Sequence, residues 1–578
     1  MPCRPGAAPS ADHPARGGCR PGRRARRRGV GGWQVEAILP FAREEYEKDF
    51  ATPKTVGTTG PACLAEFRDL LGRAAVVLEL DGDGLADDQR ARAYEAAGRA
   101  VVRNCDLLIA IWDGEKTGKT GGTSEVVRFA ARSGPPIWWL RADGRSDACV
   151  LDDIADFRSL TPSQRCADAE AWLADYLRAT LRPPADPPAH PHGDLERVLE
   201  AGRRLMRWPE RDGLRALIDG RPPRERAPWQ LHARVRDWAA RGWAGRHDPE
   251  REALLSLRAE AGTAAPLAAG DLGQRGAGAE AWARAFRAPD AWANGYSARY
   301  RTTYLVVVML IAFALAMAGL SLAWYGGKLP ATVLELGALL ALIALVAANL
   351  AGRWHQRWLS YRLIAELCRQ QHHLAPLAWS LPLYRVDVAA RAAEPGSEWV
   401  GWYFNALTRA APLPKGRITP GRLGEVRAGI RDGLLLDQVR YHSIVRPRSL
   451  QVVGRLQKYG ERLFSATLVA VAVKLGLLLA GAPAAATIAF GFLALLLPVL
   501  STGFFAFRAY AEFNVLAAQS ARMLDGFVEI DRSLTSVELT LPLASQELAG
   551  EAYELAAAML ADIEGWATLF RVKVVEAG

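Results

Sequence analysis

The sequence predicts an α/β domain at the amino terminus and, behind it, an all-α membrane region with four transmembrane helices in two hairpins. Three observations carry this prediction. Short apolar runs alternate with amphipathic segments over residues 33–182, four almost uncharged stretches of about 20 residues follow, and these stretches form two closely spaced pairs. The chain has 578 residues, which is too many for a single hydrophobic core.

Residues 1–32 form an arginine-rich leader. They hold eight arginines and one acidic residue, Asp12, in a chain whose net charge is +10. An arginine run favours nucleic-acid binding, but no aromatic or structured basic surface accompanies it. We therefore interpret the segment as a disordered leader, or as translation of sequence upstream of the true start, and expect no specific nucleic-acid partner. It has no apolar stretch of the kind that a signal peptide requires.

The seven cysteines are scattered, and no two of them form a C-x-x-C pair. Neither a zinc site nor a disulfide framework fits this spacing. We therefore expect a reducing, cytoplasmic setting for the soluble parts, and the sequence identifies no metal ligands and no bound cofactor.

The α/β domain over residues 33–182 is built from alternating strands and helices. Strands are predicted at Trp33–Leu39, Ala75–Leu80, Asp106–Trp112 and Ile137–Arg141. Helices are predicted at Glu44–Phe50, Cys63–Leu71, Gln89–Asn104, Gly122–Ser133 and Pro162–Leu181. This alternation indicates a Rossmann-like parallel sheet with helices on both faces.

A glycine-rich loop follows the third strand and leads directly into a helix. Such a loop places free backbone N–H groups and a positive helix end at the carboxyl edge of the sheet, where phosphates bind. Thr123 can cap the helix or donate to an oxyanion, and Glu125 can reach a ribose hydroxyl. The alternative is an ordinary strand–turn–helix connection without a ligand. The candidate nucleotide-binding residues are Asp113, Gly114, Gly118, Gly121, Gly122, Thr123 and Glu125.

Two nucleotide-binding patterns compete for this loop. Gly114–Thr120 nearly spells a P-loop, but three residues separate Gly114 from Gly118 where four are needed. The G-G-T-x-E pattern of Gly121–Glu125 resembles the phosphate loop of the SLOG superfamily, the fold of Lonely Guy phosphoribohydrolases and DprA-type proteins, although it is shorter and lacks the usual proline. Asp81 and Gly82, after the second strand, are either further edge residues or plain turn residues.

A second stretch extends the resemblance to SLOG-like domains. Leu39–Phe50 reads LPFAREEYEKDF, which is similar to the L-P-F-x-R-E-x-Y-x-x-D-F stretch of bacterial members. The family normally has a strand and a glycine-containing loop before this point, where this chain has the arginine-rich leader. The resemblance therefore implies a sheet that lacks its first strand or strands.

A proline-rich linker at 183–193 separates the α/β domain from a helical connector at 194–298. The first hairpin is predicted at 299–380, a cytoplasmic segment at 381–455, and the second hairpin with carboxyl-terminal cytoplasmic helices at 456–578. The four spans are predicted at Tyr304–Ala323, Val333–Ala351, Leu463–Ala482 and Ala484–Phe507.

Charges around the spans predict their orientation. Many arginines lie before the first span and after the second span of each pair, whereas the two short turns carry only Lys328. We therefore expect a multi-pass protein of the plasma (bacterial inner) membrane with both termini in the cytoplasm. Two ionisable residues, Glu335 and Lys474, fall in the outer halves of their spans. They either form an ion pair between hairpins that could line a pore, or extend separately to the outer interface.

A short motif that occurs after each pair of spans supports the two-hairpin arrangement. An R-x-x-A-E motif follows the second span at Arg362–Glu366 and the fourth span at Arg508–Glu512. With the Phe286–Arg301 approach and the tight turn, this region resembles the SLATT family of two-helix membrane domains. The resemblance implies a pore-forming effector module controlled by a SLOG sensor of a nucleotide-derived signal, in a bacterial conflict or anti-phage system.

The leading functional hypothesis is thus a membrane effector gated by a nucleotide-derived small molecule, acting on the lipid bilayer as a homo-oligomer. The alternative is a membrane-tethered, Lonely Guy-like hydrolase of nucleotide N-glycosidic bonds, with Glu125 as its catalytic residue. A transporter is the third hypothesis, but four spans without a central polar constellation give it little support.

Overall fold

The computed structural model describes residues 34–51, 61–116, 118–142, 148–160, 168–183, 213–223, 227–240, 276–323, 327–381, 398–510 and 513–571. The predicted leader, nearly all of the predicted linker and part of the connector lie outside the described residues.

The amino-terminal part alternates strands with helices, as the sequence predicts. Its strands are β1 (Glu36–Leu39), β2 (Val76–Glu79), β3 (Leu108–Trp112), β4 (Ile137–Arg141) and β5 (Cys149–Leu151). Its helices are α1 (Arg43–Ala51), α2 (Pro61–Gly72), α3 (Asp87–Arg103), α4 (Thr123–Ser133), α5 (Ile154–Ser159) and α6 (Ala169–Leu181). Strand β5 and helix α5 are elements that the sequence analysis did not predict.

The strands form two small sheets instead of one continuous sheet. β1 pairs with β2 in parallel, with Ile38 opposite Leu78. β3 pairs with β4 in parallel, and β5 joins β4 on the other side in the antiparallel sense. Both sheets share one hydrophobic core with α3, which buries Ala96 and Ala100 against them. Parallel pairing is therefore present, but the described strands do not make a single doubly wound sheet.

A strand from the middle of the chain completes the first sheet. β6 (Gly416–Arg417) lies in the predicted cytoplasmic segment between the two pairs of apolar helices. It pairs in parallel with β2, Leu78 opposite Gly416 and Glu79 opposite Arg417. The amino-terminal part is thus joined by backbone hydrogen bonds to the membrane region.

The rest of the described chain is helical. The helices are α7 (Gly213–Asp219), α8 (Leu231–Ala239), α9 (Gly276–Ala323), α10 (Lys328–Gly352), α11 (Trp354–Leu374), α12 (Glu398–Ala410), α13 (Pro420–Ile430), α14 (Leu436–Leu479), α15 (Ala484–Tyr510), α16 (Phe513–Ser536) and α17 (Ala544–Arg571), with a π-helical turn at Arg431–Leu435. Helices α9, α10, α14 and α15 each contain one predicted span, and α14 ends slightly before the predicted boundary.

Four helical stretches are long and apolar enough to cross a membrane, judged by length and composition. Their outward surfaces carry large apolar side chains, such as Leu340 and Ile343 on α10 and Leu475 and Leu479 on α14, each more than half exposed. Soluble proteins rarely expose continuous apolar surface of this extent, because hydrating it is unfavourable. The exposed band therefore supports a membrane-embedded region.

The apolar helices pack in a definite order. α9 contacts both α10 and α15, and α15 in turn contacts α14. Glycines make the close approaches: a Cβ on Gly319 of α9 would lie 2.2 Å from the Leu495 Cδ2 atom of α15. The Ser501 hydroxyl of α15 donates to the Gly460 carbonyl oxygen of α14 at 2.9 Å.

Beyond the apolar band, the amino-terminal half of α9 packs along α11 through aromatic rings. Trp292 and Tyr296 lie with their centroids 5.3 and 5.9 Å from that of Tyr361. The first R-x-x-A-E motif belongs to this layer: Glu366 is 2% exposed and its carboxylate pairs with Arg362 and Arg369. The glutamate of the second motif lies outside the described residues.

Candidate functional site

The predicted phosphate loop connects β3 to α4. The Asp113 carboxylate accepts a hydrogen bond from the Glu115 N–H at 2.9 Å, which closes a local turn. Gly114, Gly118 and Gly121 all have positive φ angles, of 91°, 63° and 73°. L-residues with a side chain rarely adopt this conformation, so the loop geometry itself selects glycine at these three positions.

Two of these glycines are also fixed by packing. A Cβ on Gly121 would lie 2.3 Å from the Ala91 carbonyl oxygen and 3.0 Å from the Tyr94 Cβ atom, both on α3. A Cβ on Gly114 would lie 3.2 Å from the Trp139 ring. A Cβ on Gly118 would meet no heavy atom within 4 Å among the described residues. Gly118 is thus the loop glycine with room beside it for a ligand.

The amino-terminal end of α4 lies directly behind this loop. Gly122 is the residue before the helix, and its carbonyl oxygen accepts from the Glu125 N–H at 3.0 Å. Since a glycine offers no side-chain cap, the N–H groups of Thr123 and Ser124, at the start of the first turn, are left to water or a ligand. The sequence analysis offered Thr123 as a cap for this helix, but Thr123 is the first helical residue and Gly122 occupies the capping position.

Glu125 occupies a different position from the loop glycines. Its carboxylate pairs with Arg128 one turn further along α4, and its side chain is 17% exposed. It lies in a small groove between α3 and α4, together with Glu95, Arg99 and Phe129. The residue is therefore held by a neighbouring arginine on the side of the helix.

The loops after β1, β2 and β3 converge on the first turns of α3. A Cβ on Gly82 would lie 2.3 Å from the Pro40 carbonyl oxygen and 2.6 Å from the Ala93 Cβ atom. Gly121 contacts Ala91 and Tyr94 on the same helix. The loops that follow β1, β2 and β3 therefore meet at the first turns of α3. The structure thus gathers the predicted edge residues at one end of α3.

The LPFAREEYEKDF stretch stabilises this end of α3. The Phe41 side chain is 1% exposed, and its ring packs edge-on against Tyr46 and Tyr94. Asp49 pairs with Arg90 at 2.6 Å and accepts a hydrogen bond from the Tyr94 hydroxyl. Burial and the adjacent Asp49 raise the pKa of Tyr94 above its ordinary value. These residues therefore hold α1 against α3.

Asp81 links the second strand to the carboxyl-terminal helix α17. Its carboxylate accepts hydrogen bonds from the backbone N–H of Ser545, at 2.8 Å, and from the Ser545 hydroxyl. Its carbonyl oxygen accepts from the Leu543 N–H at 3.0 Å. Burial raises the pKa of Asp81 above the ordinary aspartate value. Asp81 is thus neither a plain turn residue nor a free edge residue, because it caps a helix more than 450 positions away.

A second connection runs from the start of β3 to α12. The Arg409 guanidinium pairs with the Asp106 carboxylate at 3.1 Å and also donates to the Thr180 carbonyl oxygen at 3.1 Å. The Trp402 indole N–H donates to the same oxygen at 3.0 Å. Burial raises the pKa of Asp106, and the Arg409 charge opposes that shift.

No family model, curated protein or solved structure matches this chain.

The two predicted intramembrane ionisable residues lie on different helices and are both half-buried. Among the described residues, Glu335 and Lys474 form no ion pair with each other. Lys474 of α14 lies along α15, with its Nζ 3.6 Å from the position that a Cβ on Gly491 would take. Glu335 belongs to α10, which packs mainly on α9. Within one chain, this placement favours the alternative in which Glu335 and Lys474 extend separately to the membrane interface, and not an ion pair between them.

Proposed function

We propose that this protein is a membrane-anchored effector in which the cytoplasmic α/β domain binds a nucleotide-derived small molecule and thereby controls a pore-forming or membrane-perturbing helical region. The ligand would bind at the carboxyl ends of β1–β3, with its phosphate at the Gly118–Thr123 loop. The resemblance to SLOG and SLATT modules further suggests a role in bacterial conflict or anti-phage defence.

The observation that carries this proposal is the direct bonding between the α/β domain and chain segments that adjoin both pairs of apolar helices. Strand β6 and Arg409 belong to the segment between the pairs, and Ser545 belongs to the helix after the second pair. A ligand shifts a conformational equilibrium only by binding one state better than the other. Bonded contacts of this kind supply the route by which such a preference would reach the membrane helices.

In the proposed topology, α9 and α10 form one antiparallel hairpin, and α14 and α15 form the other. The hairpins cross the plasma membrane, and both termini lie in the cytoplasm. The contacts within each pair support this arrangement, as do the arginine-rich flanks. The contact order α10–α9–α15–α14 gives no reason to expect a lumen inside one protomer. Conduction would therefore require a homo-oligomer.

We also propose that the predicted missing strand belongs between β1 and β3. Among the described strands, β1 pairs only with β2, and β3 pairs only with β4 and so has an open edge. Ile109 and Ile111 of β3 are 54% and 55% exposed, so one face of this strand lacks a covering layer among the described residues. A further strand at this position would join the two sheets around their shared core.

Reconstitution tests the proposal against the hydrolase alternative. The full chain would be placed in dye-loaded liposomes of phosphatidylethanolamine and phosphatidylglycerol and exposed to AMP, ADP-ribose and cyclic nucleotides. We expect one of these ligands to release dye without being consumed. Base release that is abolished by Glu125→Ala would support the hydrolase instead.

A matched pair of glycine variants locates the binding site. Gly118→Asp places a negative charge in the open part of the loop, whereas Gly118→Asn imposes the same positive-φ backbone cost without the charge. We expect ligand-dependent dye release to be lost in Gly118→Asp and retained in Gly118→Asn. Equal behaviour of the two variants would remove the loop from the proposed site.

A further inference from the structure

The carboxyl-terminal end of α3 is bonded to the turn that follows α11. The Asn104 side-chain amide donates to the Ala378 carbonyl oxygen at 2.9 Å, and the Ser380 hydroxyl donates to the Asn104 Oδ1 atom at 2.6 Å. One residue earlier, the Arg103 guanidinium lies 3.4 Å above the Trp379 ring. Since the amide uses both its donor and its acceptor, the turn is fixed in both position and orientation.

The turn at Ala378–Leu381 is in turn fixed to α11 by one buried glutamine. The Gln371 amide donates to the Trp379 carbonyl oxygen at 2.9 Å and accepts from the Leu381 N–H at 3.0 Å. Gln371 is 2% exposed. Helix α11 follows the apolar helix α10 after a single residue, Arg353. The end of α3 is therefore connected to a predicted membrane span through the single helix α11, which has 21 residues.

The opposite end of α3 contacts the candidate ligand site. Gly121 of the phosphate loop packs on the Ala91 carbonyl oxygen and on Tyr94 so closely that no Cβ fits there. The Arg90 guanidinium donates to the Gly84 carbonyl oxygen at 2.8 Å, in the loop after β2. A rearrangement of either loop would therefore press on or release the first turns of α3.

Helix α3 is one continuous helix that is packed closely along its length. It has 17 residues, which corresponds to a length of about 25 Å. A row of small residues packs it tightly against the core, and a Cβ on Gly98 would lie 2.4 Å from a Val126 methyl group of α4. Closely packed interiors have low compressibility and transmit strain instead of absorbing it.

We propose that α3 is the relay through which the loops after β2 and β3 act on the first pair of apolar helices. Gly121 is its input contact, and the Arg103–Asn104 contact with Ala378–Ser380 is its output. The assignment of the input as a ligand site rests on the proposed function. The mechanical coupling between the two ends does not, so it can be tested without any ligand.

The test compares two alanine variants of the loop by hydrogen–deuterium exchange on the full chain in nanodiscs. Both glycines have a positive φ, but only Gly121→Ala drives a methyl group into α3, because Gly118→Ala enters open space. We expect Gly121→Ala to accelerate amide exchange over 375–381 by about tenfold, and Gly118→Ala to leave that segment unchanged. Equal exchange at 375–381 in both variants would overturn the relay.

A second comparison separates coupling from general destabilisation. Val150→Ala removes buried methyl groups from β5, away from α3, and weakens the same domain. We expect it to leave exchange at 375–381 unchanged, and faster exchange there would assign the Gly121→Ala effect to loosening of the whole domain. Coupling is reciprocal, so Asn104→Ala is expected to accelerate exchange in the 119–126 loop segment, and an unaltered loop would contradict the relay. Dye release that fails while these coupling results hold would reject the proposed function alone.

Discussion

Asp81 is the residue at which the α/β domain holds the start of α17, and its removal should loosen that contact. Asp81→Ala leaves the Ser545 N–H buried without its acceptor, so we expect the chain to lose about 1–2 kcal/mol of stability. Asp81→Asn retains an oxygen acceptor and should lose less. Thermal unfolding in detergent, followed by tryptophan fluorescence, measures both variants.

The control for this prediction is Asp83→Ala, two residues along the same loop. The Asp83 carboxylate accepts only a local, exposed hydrogen bond from the Leu85 N–H. We expect its removal to change stability by less than about 0.5 kcal/mol. If Asp83→Ala and Asp81→Ala lower the stability by the same amount, the contact between Asp81 and α17 does not stabilise the chain more than a local loop contact does.

The raised pKa of Asp81 makes a second prediction at the same residue. A carboxyl whose pKa is higher in the folded chain than in the unfolded chain contributes stability that is present below the unfolded pKa, about 3.9, and is lost as the pH rises through the folded value. Asp81→Asn does not titrate. The stability of wild type relative to Asp81→Asn should therefore decrease as the pH rises above about 4. A difference in unfolding midpoint that does not change as the pH rises would show that the carboxyl is not desolvated.

Asp81 also illustrates what sequence can predict for a single residue. Its position at the end of a strand was evident from the local pattern, whereas its partner Ser545 is far away in the chain. One signal was present: the residue before α17 is Leu543, which has no side-chain oxygen with which to cap a helix. A long helix that starts without its own cap is a position at which another segment can supply one.

At the scale of elements, the close approach between α9 and α15 joins the two pairs of apolar helices. Gly319→Leu forces a large side chain against Leu495, so we expect about 1–3 kcal/mol of destabilisation. Gly337→Leu is the matched control, because a Cβ there meets no heavy atom within 4 Å. Fluorescence energy transfer between labels on α9 and α15, followed through detergent unfolding, reports this contact. Similar midpoints for both variants would place the junction elsewhere.

Elements were predictable where the pattern is local and long. Each apolar stretch marks its helix without help from the rest of the chain, and β3 and β4 appear as runs of five residues that the sequence located. Strand β5 has three residues and β6 has two, so both are shorter than the roughly four residues over which alternation identifies a strand. Strand β6 forms because β2 offers it an edge, and only the folded chain brings the two together.

For the whole molecule, sequence predicted the parts but not how they are joined. The proline-rich stretch suggested a separate domain on a linker, whereas the structure bonds that domain to α11, α12 and α17 through Asn104, Asp106 and Asp81. These contacts connect residues hundreds of positions apart, and their individual motifs are ordinary polar side chains. The candidate site was located by its glycines, yet its connection to the membrane helices required the fold.

The orientation of the whole molecule gives the last prediction. Arginines lie before the first helix and after the second helix of each pair, and the turns within the pairs carry only Lys328. The turns should therefore lie outside the cell. In intact cells, a membrane-impermeant maleimide should label Lys328→Cys and Ala480→Cys. It should not label Leu541→Cys, whose side-chain position is 51% exposed and lies between α16 and α17, on the predicted cytoplasmic side. Permeabilised cells provide the control, in which all three variants should react. Labelling of Leu541→Cys from outside would contradict the predicted topology and, with it, the cytoplasmic position of the proposed ligand site.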